Sequence, residues 1–370
     1  MKKRILAVLL SATMVFALAA CAGAPAETPE ATQSDDDVAQ TSDELHFEIV
    51  SKGFQHQYWQ AVLKGSEDRA KELGVTINFV GPNTESDIAD QVQMFNNAIN
   101  AKPAAIGLAA LDTQALLDAI QTAKDSGIPI IGFDSGVPDA PEGAVFANCA
   151  TDNYAAGELA AENMYEAIAD RVKDATGTVR IGILSQDATG ESLVSRGLGF
   201  IDKMEELLNA DGKTVSVEGN DRFVGDSNGE TVAGAEVVLE VRVPADTSSE
   251  LCAIEGQTLL NKEDTIAIYA SNQGSAEALV TANENIGKCG VEDGQIIAVG
   301  FDSGEVVKAA VADRTFLGAV TQAPVAMGEA LVQALYDVAN GLSVSDVDTG
   351  AQWYTADNMN DSEIAQNLYD

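Results

Sequence analysis

From Leu45 onward, short β-branched runs alternate with amphipathic stretches, and this alternation runs through the chain twice. The first pass places strand-like runs at 47–50, 75–80, 104–109, 128–133 and 144–147. Trp59, Val62, Leu63, Ala70 and Leu73 form an apolar stripe between the first two runs, and Gly74 is a natural helix stop. Ile88, Val92, Phe95 and Ile99 repeat the helical spacing, and 113–126 reads as a further helix. The second pass has strands at 179–184, 237–243, 266–270, 296–299 and 317–320, with helices at 154–168, 191–208, 248–260, 274–286 and 325–340. Alternating βα units make parallel sheets covered on both faces. At 370 residues the chain exceeds one ordinary core. The fold class expected is α/β, with two doubly wound parallel-sheet lobes. The polar stretch 209–236 breaks the rhythm and reads as an insertion, a hairpin, in the second lobe.

An internal repeat says where a site would sit. Ile131-Gly132-Phe133-Asp134-Ser135-Gly136 closely matches Val299-Gly300-Phe301-Asp302-Ser303-Gly304, and both follow a predicted strand. Ligands of open α/β sheets bind outside the carboxyl ends of the strands. Two sheets facing each other would put Asp134 and Asp302 in one cleft. The other strand ends supply Lys52, His56, Tyr58, Trp59, Asp112, Arg196, Asn272 and Gln322. Carboxylates accept from paired hydroxyls, whereas Arg, Asn and Gln donate or bridge in planar geometry. Tyr and Trp add flat apolar faces with polar tips. A sugar, apolar on its C–H faces and polar at its rim, needs that mixture. Each residue also has a plainer role open to it. Trp59 shares a stripe with Val62 and Leu63 and could be helix core. Lys52 could brace the turn against Asp112, Arg196 could pair with an acid on its helix surface, and Asn272 could cap the helix after it.

Charge and motif content remove other classes. A formal charge of −37 repels phosphate backbones, so nucleic acid is excluded as a partner. Neither a P-loop nor a dinucleotide fingerprint is present, so no cofactor is implied. With only 2 His and no Gly-x-Ser-x-Gly elbow, no nucleophile with its base can be nominated, and an enzyme is not expected. Cys149, Cys252 and Cys289 have no metal-ligand spacing; they read as buried small hydrophobes, with a Cys252–Cys289 bridge the alternative.

The N-terminus reads as an export signal over 1–20. Met1-Lys2-Lys3-Arg4 is basic, Ile5–Ala17 is apolar but short for a membrane span, and Leu18-Ala19-Ala20-Cys21 suits cleavage. This segment resembles a bacterial lipoprotein signal, with Cys21 as the lipid attachment point. Residues 21–44, rich in Pro and acid, read as a disordered tether.

In order along the chain stand Tyr58-Trp59 before Ala61-Val62-Leu63-Lys64-Gly65, Ile130-Ile131-Gly132-Phe133-Asp134, and Thr151-Asp152-Asn153-Tyr154-Ala155-Ala156-Gly157. Arg196-Gly197-Leu198-Gly199-Phe200, Ser271-Asn272-Gln273-Gly274-Ser275-Ala276, Val299-Gly300-Phe301-Asp302 and Val320-Thr321-Gln322 follow. Together they make the body, about 45–353, resemble the periplasmic sugar-binding proteins of ABC importers, the ribose-binding group. The resemblance implies lobes of 45–149 plus 323–351 and 150–322 plus 352–370. They would be joined by crossings near 149–151, 322–324 and 350–355, and would close on a monosaccharide by hinge motion. It implies ligand contacts at Tyr58, Trp59, Asp134, Arg196, Asn272, Asp302 and Gln322; Lys52 and His56, on the same first-lobe side, are read as edge contacts from their own chemistry. It implies an ABC permease and ATPase as partners, and an extracytoplasmic, lipid-anchored monomer. His56 stands where the ribose binders carry Asn, Lys52 replaces a small polar residue, Ser135 replaces a second Arg, and Thr247 replaces an aromatic. Those departures keep a nucleoside or furanosyl signal, feeding a sensor, as the alternative ligand.

Overall fold

The computed structural model describes residues 45–369. The expected signal peptide, Cys21 and the tether lie outside the described residues. The first sheet is built from β1 (His46–Val50), β2 (Thr76–Val80), β3 (Ala105–Leu108), β4 (Ile130–Phe133) and β5 (Val145–Ala150). The second is built from β6 (Val179–Leu184), β7 (Val215–Gly219), β8 (Val237–Arg242), β9 (Thr265–Ala270), β10 (Ile297–Phe301) and β11 (Gly318–Gln322). Two short strands, β12 (Val347–Asp348) and β13 (Ala351–Tyr354), edge the first and second sheets respectively. The strand orders are β12-β5-β4-β3-β1-β2 and β13-β11-β10-β9-β6-β8-β7. Every pairing is parallel except β11 with β13. This is the doubly wound α/β architecture, twice over.

Helices cover both faces of each sheet because the buried strands are apolar on both sides. On the first sheet, α1 (Gln57–Leu73) and α10 (Pro324–Ala339) share one face, where Phe47, Val62, Ile131, Met327 and Leu331 form a core. The opposite face carries α2 (Ile88–Ala101) and α3 (Leu117–Asp125), with Phe95, Ile106 and Ile120 between them. On the second sheet, α4 (Asn153–Asp174), α5 (Glu191–Ala210) and α6 (Asp221–Asp226) lie on one side. There α7 (Ser249–Leu260), α8 (Gln273–Glu284) and α9 (Glu305–Ala312) lie on the other. A last turn, α11 (Ser362–Ala365), lies near the end of the described chain.

The helix pairs touch through glycine. A Cβ on Gly65 of α1 would stand 2.0 Å from the Val325 carbonyl of α10, and one on Gly328 of α10 would stand 2.1 Å from that of Val62. In the second lobe, a Cβ on Gly157 of α4 would stand 2.1 Å from the Arg196 carbonyl of α5, and one on Gly199 would stand 2.1 Å from that of Tyr154. Both pairs therefore pack backbone to backbone.

Several expectations need correction. Residues 209–236 form no hairpin: β7 pairs with β8 in parallel and adds an outer edge strand, and α6 carries the return. Helix α3 starts at Leu117 rather than at 113, because the Asp112 carboxylate accepts from the amides of Gln114 and Ala115 and holds a turn there. The alternative Cys252–Cys289 bridge is not formed; both, like Cys149, are the buried small residues expected, as free thiols, and burial pushes the pKa of each up to about 12. The helix α9 and the strands β12 and β13 had no counterpart in the sequence reading.

The chain passes between the sheets at 150–153, 322–324 and 348–351. These passages are stitched together. The Thr151 hydroxyl lies 3.0 Å from Gln322 Oε1, and the Asp348 carboxylate accepts from the amides of Asp152 and Gly350. Among the described residues no helix is long and apolar enough to cross a membrane.

Candidate functional site

The carboxyl ends of the two sheets meet across a cleft lined by Lys52, His56, Tyr58, Trp59, Glu85, Asp134, Ser192, Leu193, Arg196, Asn272, Gln273, Asp302 and Gln322. Of the strand-end residues singled out in the sequence, it brings together Lys52, His56, Tyr58, Trp59, Asp134, Arg196, Asn272, Asp302 and Gln322. Asp112, named with them from its strand-end position, instead caps the turn before α3. The enclosed space is only ≈ 30 Å³, because side chains from the two lobes already meet there. A larger groove of ≈ 560 Å³ lies beside the hinge between Phe146, Asp152, Glu191 and Asp346. It has neither a basic side chain nor paired aromatics, so the small cleft, where polar groups converge, is the candidate site.

The repeated Gly-Phe-Asp-Ser-Gly turns place both acids in the same unusual conformation. Asp134 has φ +56° and Asp302 φ +71°, the left-handed region that few non-glycine residues adopt. Such strain collects at functional sites. Each carboxylate is gripped by its own lobe. Asp134 accepts from the Tyr58 hydroxyl at 2.7 Å. Asp302 accepts from the Gln273 amide at 2.9 Å and from Gln322 Nε2 at 2.7 Å. Gln322 thereby joins the hinge residue Thr151 to the cleft.

Aromatic rings wall the first-lobe side. Tyr58 and Trp59 meet edge to face at 5.0 Å, and Trp59 packs edge-on to Phe133 at 6.3 Å. Trp59 is both core and cleft: it is buried among Val62 and Phe133, yet its indole N–H donates to Glu85 at 2.7 Å. Glu85 also accepts from Gln186 of the second lobe at 2.8 Å, and Gln186 accepts from Asn272 Nδ2 at 2.8 Å. A polar chain thus crosses the cleft from Trp59 to Asn272. Asn272 caps α8 as well, since its Oδ1 accepts from the Ser275 amide in a capping box. Capping the helix thus does not take it out of the cleft lining.

Arg196 pairs with no surface acid. It is buried, donates to Asn153 Oδ1 and to the Ser271 carbonyl at 2.8 and 2.7 Å, and lies 3.6 Å over the Phe301 ring. Its charge stays unneutralised by contact, held by carbonyls and a π face. Lys52 does not brace Asp112; it sits among acids of both lobes. Burial would lower its pKa, but the carboxylates of Glu85, Asp134 and Asp187 outweigh burial and raise it. Glu85 follows the same logic: burial opposes its charge, yet His56, Lys52 and the bonds from Trp59 and Gln186 hold its pKa below the ordinary value. For Asp134, burial prevails over Lys52, Tyr58 and Arg196, and its pKa is raised.

Ser192 Oγ is buried in this cleft without a hydrogen-bond partner. A buried hydroxyl in that condition is suited to a ligand hydroxyl. Sequence reasoning missed Glu85, Gln186, Ser192, Leu193 and Gln273. The strand-end rule that found Asp134 also covers Glu85, which follows β2, and Gln186, which follows β6.

Among known proteins, the sequence profile described as "Periplasmic binding protein domain" matches residues 47–343. The ribose import binding protein of Bacillus subtilis is 23% identical over 348 residues, covering 92% of this chain and 95% of that protein. A solved structure described as an ABC transporter, LacI family transcriptional regulator, from Brachyspira murdochii is 34% identical with a TM-score of 0.74, covering 88% of this chain and 99% of that one. An ABC transporter solute binding protein from Agrobacterium vitis with bound D-fucose is 28% identical, with a TM-score of 0.72 and coverage of 88% and 100%. With the profile spanning most of both lobes and these relatives spanning nearly their whole length, the chain belongs to the periplasmic binding protein family.

Proposed function

We propose that this protein is the extracytoplasmic receptor of an ABC importer, taking a monosaccharide into the interlobe cleft by hinge closure and presenting it to a permease driven by an ATPase. The observation that carries this reading is the convergence of Asp134, Asp302, Arg196, Asn272 and Gln322 from the strand ends of two lobes onto a cleft walled by Tyr58 and Trp59. The relatives named above for ribose and D-fucose support it. The moving bodies are 45–149 plus 323–351 and 150–322 plus 352–370. Cys21 carries the lipid, residues 21–44 tether the body to the membrane, and the receptor acts as a monomer.

The cleft's ≈ 30 Å³ holds about a water molecule or two, so a sugar enters with the lobes apart. It takes over bonds that the side chains now make to each other. The Glu85–Gln186 bridge gives way to ring hydroxyls, the aromatic walls take the C–H faces, and Ser192 Oγ gains a partner. The proposed role is capture, not turnover.

A second reading, a nucleoside or furanosyl signal feeding a sensor, is favoured by the buried Lys52–Glu85 charges, which a neutral pyranose does not require. Calorimetric titration of the refolded body with pentoses, hexoses and nucleosides separates the two. Saturable binding of one monosaccharide at micromolar affinity or tighter supports the importer reading. Silence across all sugars defeats it, and binding of a nucleoside alone moves the assignment to the second reading.

A further inference from the structure

The tail of the chain crosses from one lobe to the other within two residues. Met359, Ile364 and Leu368 pack on the second-lobe core beside Tyr354, whereas Tyr369 belongs to the first-lobe core with Tyr58, Trp59 and Met327. The main chain here is tied to the second lobe. The Asn367 carbonyl accepts from Thr321 Oγ1 at 3.0 Å and from Ser303 Oγ at 3.4 Å, and the Tyr369 amide donates to Ser303 Oγ at 3.2 Å. The Tyr369 hydroxyl accepts from the Ser303 amide at 3.3 Å and approaches Gln273 Oε1 at 3.5 Å. Its ring, 9% exposed, meets Tyr58 edge-on with centroids 6.1 Å apart.

This position is next to the cleft but not in it. Ser303 follows Asp302, Gln273 lines the cleft, and Tyr58 holds Asp134. A side chain anchored on one lobe and buried in the other keeps its burial only while the lobes are together. Separation would uncover apolar surface on Tyr369 and on the back of Tyr58, and exposing such a ring is unfavourable. Other cross-lobe contacts, Gln57 Oε1 with the Glu305 amide and Ser135 Oγ with the Ser192 amide, are polar and can be taken over by water when they part.

We propose that Tyr369 is a positioning residue for closure: an apolar latch, carried by the second lobe, that completes the first lobe's core behind Tyr58 only when the cleft is shut. It sets the resting balance between open and closed forms, and through Tyr58 it braces the Asp134 side of the site. The link to ligand affinity rests on the receptor reading above; the latch itself does not.

The test needs no ligand. Nitroxide labels at Asp125→Cys in the first lobe and Glu284→Cys in the second, both exposed, report interlobe distance by pulsed electron resonance on the body 45–370, whose native thiols among the described residues, Cys149, Cys252 and Cys289, are buried. Tyr369→Ala should lower the closed fraction by about threefold or more, with a lengthened distance distribution. Tyr369→Phe keeps the ring but loses the hydroxyl's contacts with the Ser303 amide and Gln273, and should fall between. If Tyr369→Ala loses its cooperative melt, Tyr369→Phe decides alone and must still widen the distribution. Unchanged distances in the variants that fold overturn the latch. In a parallel arm with D-ribose as probe, faster dissociation from the variants than from the parent is expected. A parent silent to D-ribose and to every other sugar of the calorimetric panel defeats the receptor reading while leaving the distance test intact.

Discussion

Glu85 shows most clearly how single residues set the behaviour of the cleft. Its carboxylate is held below the ordinary value because burial is outweighed by His56, Lys52, Trp59 and Gln186. A carboxylate with a lowered folded pKa adds stability that is fully present above its unfolded value and lost as pH falls through the folded one. Asp134, raised by burial, has the opposite sign: its contribution is complete at low pH and fades as pH climbs through its raised value. Replacing Glu85 by Gln removes only the first of these. The stability gap between parent and Glu85→Gln should therefore narrow as pH falls from about 5 to about 3 in urea titrations. A gap that stays constant over that range would mean that folding leaves the Glu85 pKa unshifted. Lys52 provides the alkaline counterpart. Its raised value means stability present below 10.5 and lost above it, and Lys52→Met should flatten that limb.

At the scale of elements, the helix crossings are the features least open to change. A methyl on Gly157 would collide with the carbonyl of Arg196, so α4 and α5 would have to separate, taking the Arg196 side chain with them. Gly157→Ala should cost about 1–3 kcal/mol in urea unfolding and weaken ligand binding as well. Gly177→Ala, where nothing lies within 4 Å, should stay within about 0.5 kcal/mol of the parent. Equal effects at the two positions would refute the crossing argument. The same elements show how far the sequence could be read. Long strands and helices with a clear period were legible, as were Asp134 and Asp302, because their turns repeat. The helix α9 was missed because Glu305–Ala312 spans barely two turns, too short for a period to declare itself. The strand β7 was lost because its neighbours are polar, and only pairing with β8 makes it a strand. Tyr369 carried no signal at all, since its role depends on contacts with Ser303 and Tyr58, which are remote in sequence.

At the scale of the molecule, neither lobe is a continuous piece of chain. The first sheet needs α10 to cover one face: Met327, Leu331, Val332 and Leu335 are fully buried there, and Leu331 lies 3.1 Å from where a Cβ on Gly107 of β3 would be. A chain ending after Gln322 should therefore leave the first lobe unfolded, with β1 to β5 open to protease; a resistant fragment of 45–150 would show that the first lobe stands alone. That dependence has a consequence in time. As the chain emerges from the ribosome, its first lobe stays unfinished until the second has been made and α10 has appeared. A protein built this way remains a threadable strand for nearly the whole of its synthesis, the form in which a chain passes through a membrane pore before folding on the far side.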